Sequence, residues 1–130
     1  QNKAMADDYK KKVIELIKKC KTEYPNSALP TKSDVRYYMS DLLYQAGDVK
    51  AAEDELRGLY EYCNQEVAYY LQFKGKKKYR YMMEMCKDAY DFMERCQYTA
   101  NEWKMKDLAD KWARSNKEVK PAVESYLMME

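Results

Sequence analysis

Apolar residues return every three or four positions along most of the chain, and few residues interrupt the rhythm. From Ala4 to Tyr24, the positions Met5, Tyr9, Val13, Ile17, Cys20 and Tyr24 form one stripe, widened by Ile14 and Leu16, with lysines on the remaining faces. This spacing predicts an amphipathic helix. Pro25-Asn26-Ser27 breaks it, and Leu29-Pro30 keeps the backbone extended, because a residue before proline avoids the α region. A second helix is expected from Thr31 or Ser33, either of which can cap the free N–H groups of a first turn, with Asp34 favoured beside the positive end of the dipole. Val35, Tyr38, Met39, Leu42 and Leu43 are its apolar face.

Gly47 is expected to end that helix in the left-handed conformation, which glycine adopts without a Cβ penalty, and Asp48 to cap the next. The third helix reads from Val49 through Ala52, Leu56, Leu59, Tyr60, Cys63, Val67 and Tyr70 toward Phe73, more than twenty residues with no breaker but Gly58. Beyond a loop at Lys74-Gly75-Lys76-Lys77-Lys78, the residues Met82, Cys86, Ala89, Met93 and Cys96 give a fourth helix a seam for antiparallel packing against the third. Thr99-Ala100-Asn101 reads as a turn, and Trp103, Met105, Leu108, Ala109 and Trp112 as a fifth helix ending at Asn116. Pro121 suits a first helical turn, so a short terminal helix is expected over Ala122 to Met129.

Composition agrees with the pattern. Three Gly and three Pro among 130 residues, with 35% charged side chains, favour long helices over a turn-rich strand fold. The expectation is therefore an all-α fold of antiparallel helical hairpins, about five helices plus the short C-terminal one, in a single domain spanning 1–130. The net charge of +2, with both signs interleaved, is that of solvated helix faces and argues against a polyanion binder. No apolar run approaches the roughly 18 residues a membrane span needs. The chain opens on Gln1, which suits an excised piece of a longer protein, so its localisation is left open.

The chemistry-bearing residues are sparse. Without histidine and without a C-x-x-C pair, Cys20, Cys63, Cys86 and Cys96 form no usual zinc pattern and read as small buried hydrophobes. Cys86 and Cys96 on one helix would stand about 15 Å apart, too far to bridge. Glu53, Asp54 and Glu55 point about 100° apart around a helix and do not converge on one ion. No catalytic, metal or cofactor-binding residue is nominated. Lys74, Lys76, Lys77, Lys78 and Arg80, with Tyr79 interleaved, are the candidate anion contact, for nucleic acid or lipid headgroups, although a solvated interhelical loop is the preferred reading.

One segment is more specific. Leu42-Leu43-Tyr44-Gln45-Ala46-Gly47-Asp48-Val49-Lys50-Ala51-Ala52-Glu53-Asp54-Glu55-Leu56 resembles the turn of a tetratricopeptide repeat. Leu43 matches the large residue before the turn glycine, Ala52 the small one that lets two helices approach, Leu56 the apolar one after it, and Met39-Ser40 the large-then-small pair. Arg36, Leu59 and Asn64 depart from the pattern, where the family has an aromatic, a small residue and a terminating proline. Val13 to Cys20, closing on Tyr24-Pro25-Asn26-Ser27, resembles the second half of a preceding repeat.

The resemblance implies a non-catalytic scaffold or interaction module, with Asp34, Tyr37, Asp41 and Tyr44 lining the face that meets a protein partner or a neighbouring domain. The order of Pro25-Asn26-Ser27, a second proline, the Gly47 hairpin and Val67-Ala68-Tyr69-Tyr70-Leu71 also resembles the soluble C-terminal tail of large glycosyltransferase-like polytopic membrane proteins of Bacteroidetes. That likeness implies an accessory or substrate-positioning domain, tethered to a bacterial membrane through an N-terminal region beyond this chain.

Overall fold

The structure is a computed structural model and describes residues 2–23, 32–73 and 80–128. It is all-α, with no strand among the described residues. Among the described residues there are five helices: α1 (Asn2–Glu23), α2 (Ser33–Gln45), α3 (Val49–Leu71), α4 (Arg80–Glu102) and α5 (Lys106–Met128). Two compact units divide the chain: Gln1–Leu59 holds α1, α2 and the start of α3, and Tyr60–Glu130 holds the remainder.

In the first unit, α2 and α3 are joined by a turn that leaves few polar groups unspent. Gly47 sits at φ +90. Its N–H donates to the Tyr44 carbonyl and the Asp48 N–H to the Leu43 carbonyl, both at 3.0 Å, which is the Schellman closure of a helix C-terminus. Asp48 then starts α3. Its carbonyl accepts the Ala52 N–H at 3.0 Å and its carboxylate accepts the Ala51 N–H at 3.2 Å. Met39, Ser40 and Leu43 of α2 are buried, as are Ala52, Leu56 and Leu59 of α3. Ser40 tolerates burial because its hydroxyl donates to the Tyr37 carbonyl at 2.6 Å.

The start of α2 differs from expectation. Lys32 occupies the N-cap position with extended backbone and no side-chain cap bond, Ser33 lies inside the first turn, and Thr31 falls outside the described residues. The Asp34 carboxylate instead accepts the Val35 N–H at 2.9 Å. Gly58 does not interrupt α3. A Cβ there would stand 2.8 Å from the Arg36 guanidinium, so the glycine makes room for the arginine that departs from the repeat pattern.

In the second unit, α4 and α5 pack against each other, and the turn between them repeats the closure seen at Gly47. Lys104, at φ 62, takes the left-handed place. Its N–H donates to the Asn101 carbonyl at 3.0 Å, and the Met105 N–H to the Ala100 carbonyl at 2.9 Å. Five residues after each left-handed residue stands a buried alanine, Ala52 or Ala109. The expected turn at Thr99-Ala100-Asn101 is thus corrected. α4 runs on to Glu102, because Thr99 and Ala100 are buried and the chain reverses only after that face is spent.

Two further expectations fall in α5. The fifth helix does not end at Asn116, and no separate terminal helix begins at Pro121; one helix runs from Lys106 to Met128 with the proline inside it. Val123 and Tyr126 carry the buried stripe of Leu108, Ala109, Trp112 and Asn116 onward, and that burial outweighs the backbone bond the proline forfeits.

Asn116 is the polar centre of this unit. Only 3% exposed, it accepts from the Tyr60 hydroxyl at 2.7 Å and donates to the Met93 carbonyl at 3.1 Å and the Gln97 side-chain oxygen at 2.9 Å. A buried carboxamide so satisfied fixes the rotation of its helix against two others. The Tyr60 ring stacks on Trp112 with centroids 4.3 Å apart and planes 11° from parallel. Cys63, Cys86 and Cys96 fill gaps in the core as free thiols, and Cys20 is half-buried.

Candidate interaction surface

Successive spacings of three, four and three put Asp34, Tyr37, Asp41 and Tyr44 on one side of α2, since residues so spaced lie above one another on a helix. Asp34 is exposed and the other three are half-buried. The Asp41 carboxylate accepts from the Gln45 carboxamide at 2.6 Å, which ties down one edge of the face. A second side of α2, Met39, Ser40 and Leu43, is buried. A third side meets α1. There Ala6, Tyr9, Lys10 and Val13 of α1 and Leu42, Gln45 and Ala46 of α2 line an open groove of about 150 Å³. The helix therefore spends two sides on packing, and its remaining side carries the acidic and phenolic residues, Asp34 exposed and the other three half-buried.

That groove was not anticipated, although its signal was present in the sequence. Tyr9 and Val13 belong to the α1 stripe, and Leu42 to the apolar face of α2. The candidate anion contact is only partly visible. Arg80 opens α4, and its guanidinium, 93% exposed, pairs with Glu84 at 3.3 Å. Lys74, Lys76, Lys77 and Lys78 lie outside the described residues.

Burial moves several titrating groups, all toward the neutral form. It pushes the Cys86 thiol up to about 11 and the Tyr60 phenol up to about 12, the latter partly offset by a hydrogen bond from Ser115. Tyr70, Tyr90 and Tyr126 are raised for the same principal reason. Tyr62 rises to about 12 mainly because its hydroxyl donates to the Glu66 carboxylate at 2.8 Å, a bond that deprotonation would turn into repulsion. These are raised acids, whereas a nucleophile is activated by lowering its pKa. Among the described residues no three metal-ligating side chains converge, and no helix is long and apolar enough to cross a membrane. In comparisons with protein families, curated proteins and solved structures, no match to this chain is found.

Proposed function

We propose that this chain is a non-catalytic helical-hairpin module, resembling a short tetratricopeptide array, that receives a protein segment or a neighbouring domain on the Asp34, Tyr37, Asp41 and Tyr44 side of α2. The observation that carries the reading is the division of labour on α2. Its apolar sides are used internally, and the remaining side groups two carboxylates with two half-buried phenols. Half-buried tyrosines offer contact area with few rotors to immobilise, and the carboxylates favour basic or amide-rich partners.

The test is affinity capture of partners from the native source, comparing the unmodified chain with the double variant Tyr37→Ala, Tyr44→Ala. Truncating two central interface aromatics costs about 1–2 kcal/mol each, so retention should fall at least about tenfold. Tyr98→Ala serves as control, because Tyr98 is 66% exposed on α4, in the other unit. Capture that survives the double variant while circular dichroism is unchanged, or that is lost equally with Tyr98→Ala, would overturn the proposal.

A further inference from the structure

The side of α1 that adjoins its groove with α2 is apolar and largely exposed. Met5 is 71% exposed, Tyr9 65% and Leu16 67%, and no described residue of α1 is buried. The order of residues along this stripe is symmetric. Met5 and Cys20 are equidistant from the point midway between Lys12 and Val13, and so are Tyr9 and Leu16.

Along one flank of the stripe run Asp8, Lys12, Glu15 and Lys19, all exposed and alternating in sign. Reversing the helix about a point one residue further along sets Asp8 opposite Lys19 and Lys12 opposite Glu15. Parallel pairing offers no such match.

We infer that α1 is a self-complementary docking surface for a second copy of this chain, the two α1 helices lying antiparallel about a two-fold axis near Val13. A closed two-fold contact needs one patch that complements itself, and both the apolar row and the charged row of α1 meet that condition. In the dimer, Tyr9 packs against Leu16 of the second copy and Met5 against its Cys20. Lys12 and Glu15 form two symmetric ion pairs on the rim. A helix of 22 residues is about 33 Å long, enough for a contact at the small end of specific interfaces, about 1,200 Å² in total. The surface is separate from the α2 face, so either can fail alone.

Oxidation of the Met5→Cys variant of the full chain tests the register. Positions 5 and 20 of one helix are about 22 Å apart and cannot bridge within a molecule. Antiparallel pairing brings each beside its counterpart in the second copy, so the variant should run as a covalent dimer on a non-reducing gel. The unmodified chain should not cross-link.

Sedimentation equilibrium supplies the second reading. Dimerisation should weaken at least tenfold in Leu16→Lys, and also in Glu15→Lys, which sets like charges together. It should recover in the double variant Lys12→Glu, Glu15→Lys. A chain that stays monomeric at the highest soluble concentration overturns the inference. So does cross-linking of the unmodified chain through Cys20, which would report parallel packing, or a double variant no better than Glu15→Lys.

Discussion

Replacing Asn116 removes three hydrogen bonds from the second unit, and what remains behind sets the cost. The Met93 carbonyl keeps its place in the α4 ladder and Gln97 is half-buried and can reach water, so neither is left stranded. The Tyr60 hydroxyl differs: its residue is 5% exposed, and Asn116 takes its proton at 2.7 Å. Losing the acceptor for that buried hydroxyl's proton costs about 1–3 kcal/mol even though Ser115 remains as a hydrogen-bond partner, and the space vacated by the carboxamide adds roughly another 1 kcal/mol.

Asn116→Ala is therefore expected to lower the unfolding free energy by about 2–4 kcal/mol. Asn116→Leu fills the space and should cost less, and Tyr60→Phe should cost about 1 kcal/mol. Combining Tyr60→Phe with Asn116→Leu removes donor and acceptor together. The pair should be milder than the sum of the singles by about 1–2 kcal/mol. Urea unfolding followed at 222 nm measures all four corners of the cycle. Additive losses within about 0.5 kcal/mol, or an Asn116→Ala cost below that figure, would refute the claim that this bond organises the core.

The remaining predictions use the same assay. Lys104→Gly should stabilise by about 0.5–1 kcal/mol by relieving a left-handed residue with a Cβ, whereas Gly47→Ala should destabilise by about 1 kcal/mol or more; equal signs would contradict the shared closure. Pro121→Ala should stabilise by up to about 3 kcal/mol, since the residue is exposed and restores a backbone donor in mid-helix. Gly58→Ala trades about 1 kcal/mol of helix propensity against displacement of Arg36, so it should be near neutral alone and stabilising in an Arg36→Ala background. The folded state raises the Cys86 thiol from 9.0 to about 11 and the Tyr60 phenol from 10.0 to about 12, so it favours their neutral forms. That contribution is complete below about pH 9 and is lost as pH rises from there toward about 12, a decline that pH-dependent unfolding midpoints would reveal.

What the sequence disclosed was local. The Gly47 turn, the Asp48 cap and the stripe of α4 follow from periodicity and backbone chemistry within a few residues, and all three stand in the structure. What it concealed depends on residues distant along the chain. Asn116 and Pro121 look like punctuation, but one is satisfied by Tyr60 in a different helix and the other is carried by the burial of Val123 and Tyr126 beyond it. The turn at Lys104 bears no glycine or proline, so no residue type announced it. The candidate face of α2 rests on the resemblance to a tetratricopeptide repeat; helical spacing adds only that its four residues share a side. That its neighbouring side would form a groove with α1 required knowing where α1 packs.

Asp48 joins two helix ends in one residue, with a consequence for how the hairpin opens. Its N–H closes α2, while its carbonyl and carboxylate hold the first turn of α3. Separate helices fray independently, each terminus exchanging its amide protons with solvent at its own rate. Here, releasing the last turn of α2 frees the residue that holds α3, and unwinding α3 frees the residue that closes α2. The Gly47, Asp48, Ala51 and Ala52 amides should therefore exchange as one set, through a single opening shared by both helices.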